Sequence, residues 1–332
     1  MFFKLLIPFL TLILIVGSFG AFLIVRDLSS RAQTALDQDL LQSSLNARAI
    51  LHDRELYLLE SVNFAANLQG MAPSVSRNDP NGVASLLESV LALKTDLTLV
   101  VATNREGVGM VEFVREAPGG PSQRGSASTW AAHAFIDQAL HDPKGEKSAG
   151  FLKLGDQSIL AIAGGICSDP SECSAAGAAI VGISTDLLAR EAAETSGLQT
   201  QALGLAIYDG SGQLLASSGK TPLGKSKTRL AEKRLIRRNE TVRGTELSSL
   251  YAPLEFQGRR EGIVAVSLGR EAAFSPIRGA GTRLVLILLG AMAGIVAIGA
   301  LLSKFILAQI RPLLETNRAL GGGDLTARAP IV

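Results

Sequence analysis

Hydrophobic positions fall along this chain in contrasting patterns. Leu5 to Val25 and Leu284 to Leu302 are apolar runs without a charged residue. At about 1.5 Å rise per residue, a helix through either reaches roughly 28 Å or more, close to the hydrocarbon depth of a bilayer. Pro8 and the small residues of the first run are tolerated in membrane helices. Gly17, Ser18, Gly20 and Ala21 are followed by Phe22-Leu23-Ile24-Val25 and no A-x-A pattern, so an uncleaved anchor is expected rather than a secretory signal peptide. Two spans are thus predicted, over 5–25 and 281–302. Lys4 flanks the first, and Lys304, Arg311, Arg318 and Arg328 outnumber Glu315 and Asp324 beyond the second. That bias places both outer ends in the cytoplasm and residues 26–283 outside.

Between the runs the period changes. Leu36, Leu40, Ala47, Ile50, Tyr57, Leu58 and Val62 recur near helical spacing, with no Gly or Pro until Gly70 and Pro73, which predicts one stalk helix continuing the first span outward over 26–72. From Val83 on, the segments shorten. A helix is expected at Val83–Lys94, strands at Leu97–Ala102 and Met110–Val114, a Gly/Pro/Ser-rich loop at Ala117–Ser128 and a helix at Thr129–His141. Strands Phe151–Leu154, Ile159–Ile166 and Ala178–Ile183 follow, then a helix capped by Ser184 and closed by Gly197. A second set comprises Leu203–Tyr208, the turn Asp209-Gly210-Ser211-Gly212, Gln213–Ser217, a basic segment, Leu247–Phe256, a turn at Gln257-Gly258 and Gly262–Leu268, read as a mostly antiparallel sheet. The class is α+β.

Beyond the second span, Ile306, Ile310, Leu313, Asn317 and Leu320 are spaced four, three, four, three, the seam of a parallel coiled coil. A helix this short needs partners, at least the same helix of a second chain. Asn317 would fix register at some cost in stability, and Pro312 would loosen the helix leaving the membrane. With Pro312 after an amphipathic start and Gly323-Asp324-Leu325 closing the helix before Thr326-Ala327-Arg328, this stretch resembles the start of a HAMP linker, the relay after the last span of bacterial receptors. The resemblance implies a signal-relay role for Ile306, Ile310, Pro312, Leu313, Asn317, Leu320, Gly323 and Asp324. The family's second helix would follow Val332, so a fragment or a truncated product is expected. The plainer alternative is a basic juxtamembrane helix.

The run Gly182-Ile183-Ser184-Thr185-Asp186-Leu187-Leu188, followed by Ile207-Tyr208-Asp209-Gly210-Ser211-Gly212, resembles the junction in the double Cache domain of bacterial receptors, where the first sheet closes and the second domain opens. The resemblance implies two PAS-like domains, membrane-distal over 73–197 and membrane-proximal over 198–280, between the stalk helix and the second span, with residues 1–4 cytoplasmic and 303–332 a partial HAMP linker. Any small ligand is expected in the distal domain, between its sheet and the overlying loops. A four-helix outer domain is disfavoured by the strand content.

Cys167 and Cys173 are the only cysteines. Outside the membrane a disulfide is the natural reading; metal binding with His133 or His141 is the minor alternative, since zinc sites show tighter ligand spacing. Gly219-Lys220-Thr221-Pro222-Leu223-Gly224-Lys225-Ser226 satisfies G-x-x-x-x-G-K-S, yet the surrounding sheet reads as antiparallel and no apolar strand ending in Asp follows, so a solvated basic loop outweighs a P-loop enzyme. Lys and Arg dominate 220–243 while the whole chain is only +2. This stretch either faces lipid headgroups or an anionic ligand, or serves as a charged sheet edge.

His52, His133 and His141 form no H-E-x-x-H or triad pattern and no G-x-S-x-G occurs, so no enzyme is expected. Trp130, the sole tryptophan, either packs in the core or roofs a pocket. Arg115, Asp137 and Asp156, with Arg124, are the polar groups that could converge on it. The Arg-x-Trp-Tyr arrangement of amino-acid-binding family members is absent, because Ala131-Ala132 follow Trp130. The function expected is the input half of an inner-membrane receptor: a homodimer contacting lipid, an extracytoplasmic small molecule and a cytoplasmic output, with a chemotaxis receptor fragment as the alternative. No cofactor, metal or nucleic acid is expected. Gly290 and Gly294, four apart in the second span, offer a small-residue face for helix contact.

Overall fold

The computed structural model describes residues 2–125, 128–168, 173–195, 204–218, 235–242 and 244–321, with the backbone alone at 2–10, 12–14 and much of 272–321. The chain divides into two units, Leu36–Ala272 and Met1–Ala35 with Ala273–Val332. Helix α1 spans Phe2–Ala66, shorter than the predicted stalk, because Gly70 at φ 94° turns the chain into α2, Met71–Ser76. Helix α3, Pro80–Leu93, starts where Asp79 accepts the N–H groups of Asn81 (3.2 Å) and Gly82 (3.1 Å), with Pro80 in the first turn.

The first sheet holds β1 Leu99–Thr103, β2 Gly109–Arg115, β3 Ser122–Arg124, β4 Ser148–Leu154, β5 Gln157–Cys167 and β6 Ala175–Ser184, in the order β3-β2-β1-β6-β5-β4. Helix α4, Ala134–His141, lies between β3 and β4, and α5, Thr185–Thr195, follows β6 directly. The second sheet holds β7 Gly204–Asp209, β8 Leu214–Ser218, β9 Ile236–Val242, β10 Thr245–Phe256 and β11 Arg259–Gly269, in the order β8-β7-β11-β10-β9. Every strand pairing is antiparallel. With β3 set aside the two sheets share one connectivity, second-first-fifth-fourth-third.

Both faces of the first sheet are covered. On one, Leu99, Val101, Ile159, Ala161, Ala163, Ala178 and Ile180 pack with Trp130, Ile136, Ala139 and Leu140 of the α4 region. On the other lie α3, with Val83, Leu87 and Val90 fully buried, and the stalk, where Val62 sits 3.4 Å from where a Cβ on Gly164 would stand. Each such aliphatic side chain contributes about 1.5–3 kcal/mol on burial. The stalk is also tied by charge: Arg54 donates to Glu191 of α5 and to Asp96 ahead of β1. Glu55 accepts the Gln257 N–H of the β10–β11 turn at 2.6 Å.

Three elements differ from expectation. Helix α4 begins at Ala134, not Thr129, because Trp130 and Ala131 give their N–H groups to Gly107 O (2.8 and 3.3 Å) and Thr129 bridges Val108. Strand β3 lies within the expected loop, and β9 within the basic segment; both are edge strands whose polar sequences carry little hydrophobic alternation. The phosphate-loop-like stretch 219–226 lies outside the described residues.

Helix α6, Arg270–Gly321, starts at the residue after β11. Among the described residues one helical segment, Leu289–Ile306 within α6, is long and apolar enough to cross a membrane. The first apolar run, 5–25, falls in α1, with the backbone alone described at 5–10 and 12–14.

Candidate ligand-binding site

The α4 face of the first sheet carries polar chemistry inside an apolar wall. Alternation along β2 sets the geometry: Val114 packs against the Leu99–Val101–Trp130 cluster, so Glu112, two residues earlier and paired with Val101, projects to the same face. Glu112 is 6% exposed. Burial pushes its carboxyl above the ordinary range, and the Ser128 hydroxyl, donating to Oε2 at 3.2 Å, partly opposes this.

Residues 122–125 and 128–130 lay the tryptophan over this face by running beside β2. Gln123 and Arg124 pair with Val114 and Phe113, Gly125 N–H donates to Glu112 O (2.8 Å), and Gly109 N–H donates to Ser128 O (2.8 Å). Trp130 is 4% exposed and its indole Nε1 has no hydrogen-bond partner among the described residues. Leaving such a donor unpaired costs about 1–3 kcal/mol. Glycine at 109 makes the placement possible, since a Cβ there would stand 3.0 Å from Nε1. His133 and Phe135 extend the aromatic row, with centroids 6.1 Å from Trp130 to His133 and 6.3 Å from His133 to Phe135. A buried carboxyl and an unpaired indole N–H on one wall can orient a small molecule that accepts a hydrogen bond and presents a donor or a positive charge.

Of the residues singled out by sequence, Trp130 lies at this wall. Arg115 projects from the other face of β2, where Nη2 and Nη1 donate to the carbonyls of Leu91 (3.0 Å) and Thr95 (3.3 Å) at the end of α3. Asp137 is on the exposed side of α4, 3.2 Å from His141 Nδ1. Asp156 sits in the β4–β5 turn and lines a cleft of about 480 Å³ between the two sheets. Arg124 is exposed on β3. Cys167 and Cys173 form a disulfide with Cα atoms 5.0 Å apart. Ile306 and Ile310 are exposed on α6, Pro312, Leu313, Asn317 and Leu320 fall in its last turns, and Gly323 and Asp324 lie outside the described residues. Glu112 escaped notice in the sequence, though an acid amid Met110-Val111 and Phe113-Val114 was its signal. No metal-ligating cluster of His, Cys, Asp or Glu occurs among the described residues.

No protein-family model matches this sequence, and no curated protein matches it. Solved structures do. The extracellular domain of a protein assigned as a histidine kinase, vpHK1S-Z8, superposes with TM-score 0.57 at 11% identity, over 75% of this chain and 96% of that one. A domain assigned to the sensory box/GGDEF family of Vibrio parahaemolyticus gives 0.56 at 11% identity, over 73% and 98%. A methyl-accepting chemotaxis protein X gives 0.52 at 16% identity, over 72% and 98%. At these identities the likeness is one of fold. The long stalk helix and the two antiparallel sheets have a double-Cache-like fold, as in these solved domains.

Proposed function

We propose that this chain is the input half of a two-pass receptor of the bacterial inner membrane. In this reading residues 1–4 are cytoplasmic, 5–25 and 281–302 cross the bilayer, 26–72 form the stalk, and 73–197 and 198–280 are the distal and proximal sensor domains outside. Residues 303–332 begin a HAMP-like relay to a cytoplasmic output. The observation that carries the reading is the sensor fold whose last strand, β11, passes at Arg270 without a loop into the helix that holds Leu289–Ile306. Two copies would pair through the seam of Ile306, Ile310, Leu313, Asn317 and Leu320.

The ligand is a small molecule seated on the α4 face, accepting from Trp130 Nε1 and meeting the Glu112 carboxyl. Its binding favours one packing of the sensor, and the second span shifts by an ångström or two in response. The shift is limited to the ligand's differential affinity for the two states. A thermal-shift screen of a metabolite library on the full chain in nanodiscs tests this. At a hundred times Kd a cognate ligand stabilises by about 2.7 kcal/mol. That gain should vanish in Trp130→Phe and Glu112→Gln; a library in which no ligand's stabilisation is lost in either variant would reject the site.

A further inference from the structure

A polar cleft opens between the two sheets, where His133 and Phe135 end the aromatic row of the α4 wall. Phe151 of β4 is its pivot, meeting Phe256 edge-on at 6.2 Å. Gly262 of β11 lets the sheets approach, since a Cβ there would stand 3.3 Å from Phe151 Cε2 and closer still to Tyr208 O. Beside this contact lies a cavity of about 390 Å³, within the size range of small-molecule sites, lined by His133 and Gln138 of the α4 region, by Phe151 of β4 and, from the second sheet, by Arg259 and Glu261.

The hydrogen bonds of this cavity leave a defined set of groups over. Gln138 Oε1 accepts twice, from Ser148 Oγ (3.1 Å) and from Arg259 Nη1. That fixes the amide orientation and leaves the Nε2 donors without a partner among the described residues. Glu261 has neither a hydrogen bond nor an ion pair among the described residues. Burial pushes its carboxyl above the ordinary range, with Arg259 pulling the other way. A desolvated carboxylate gains most from a cation brought to it, and the Phe135 and Phe151 rings are walls of the kind that favour a cation further.

We propose that this cleft binds a small organic amine, its ammonium on Glu261 and a hydrogen-bond acceptor, where it has one, on Gln138 Nε2. Because Gln138 belongs to α4, which packs on the first sheet, and Glu261 to the second sheet, the amine bridges the two and stabilises one mutual arrangement. This is a second site, whose polar groups, Glu261 and Gln138, differ from the Glu112 and Trp130 proposed for the α4 wall.

The test is calorimetric titration of the full chain in nanodiscs with ethanolamine, butylamine and, as the uncharged counterpart, butanol. Both amines should bind saturably and butanol should not. Glu261→Gln should weaken both amines by at least about tenfold, equivalent to 1.4 kcal/mol. Gln138→Ala should weaken ethanolamine alone, since butylamine has no acceptor, and this arm decides the matter should Glu261→Gln not fold. Absence of saturable amine binding, equal binding of butanol, or an unchanged affinity in Glu261→Gln overturns the proposal.

Discussion

Replacing Arg54 by Met should loosen the tie between the stalk and the sheets. The guanidinium grips Glu191 with two groups, Nε at 2.8 Å and Nη2, while Nη1 reaches Asp96 at 3.0 Å. The three side chains are 21%, 28% and 37% exposed. Burial alone would lower the Arg54 pKa, but the bonds to Glu191 and Asp96 outweigh it and raise it. A fully exposed pair contributes about 0.2–1 kcal/mol, and breaking a fully buried one costs about 3–5 kcal/mol. Exposure of a fifth to a third places this clamp between, at about 2 kcal/mol. For a domain of this size that lowers the melting temperature by roughly 4–8 °C. Met keeps most of the stem packing, so the charge and its bonds are what is lost. The assay is thermal unfolding of the full chain in nanodiscs, completed as a double-mutant cycle with Glu191→Gln. A change below about 1 °C, or zero coupling with Glu191→Gln, would refute the reasoning.

Other outcomes follow from the same geometry. Glu112 has its pKa raised in the fold, so between the ordinary carboxylate value and the raised one the folded state holds more proton than the unfolded, and stability falls as pH rises through that window. Glu112→Gln should therefore raise the melting temperature at about pH 7 and leave it unchanged at about pH 3.5; a loss of stability at neutral pH would contradict this. Opening the Cys167–Cys173 bridge, six residues apart, by the paired Cys→Ser variant should cost about 2 kcal/mol on the chain-entropy model, read as a downward shift of the urea midpoint with unchanged slope.

Elements with strong local chemistry were legible in the sequence. The helical period places α3 from Val83, three residues after its observed start at Pro80, and Gly155-Asp156 and Gln257-Gly258 between apolar runs mark hairpins, where φ is positive at Gly155 (59°), Gln257 (52°) and Gly258 (73°). What local reasoning missed depends on pairing. Strands β3 and β9 exist because neighbouring strands supply their hydrogen bonds, and α4 starts late because Gly107 holds Trp130 and Ala131 in the sheet's extension. The site was half legible for a related reason. Trp130 draws attention by rarity, but whether a charged residue faces α4 or α3 depends on strand phase. One position of phase separates Glu112, on the tryptophan's side, from the carbonyl-bound face that Arg115 occupies.

The central claim is that residues 36–272 lie outside the membrane and report inward through α6. Single cysteines placed at the exposed positions Asp156 and Arg318, in the Cys167→Ser, Cys173→Ser background, test it in spheroplasts with a membrane-impermeant maleimide. Cysteine at 156 should label at once and cysteine at 318 only after permeabilisation. Labelling of 318 in intact spheroplasts, or protection of 156, would contradict the account.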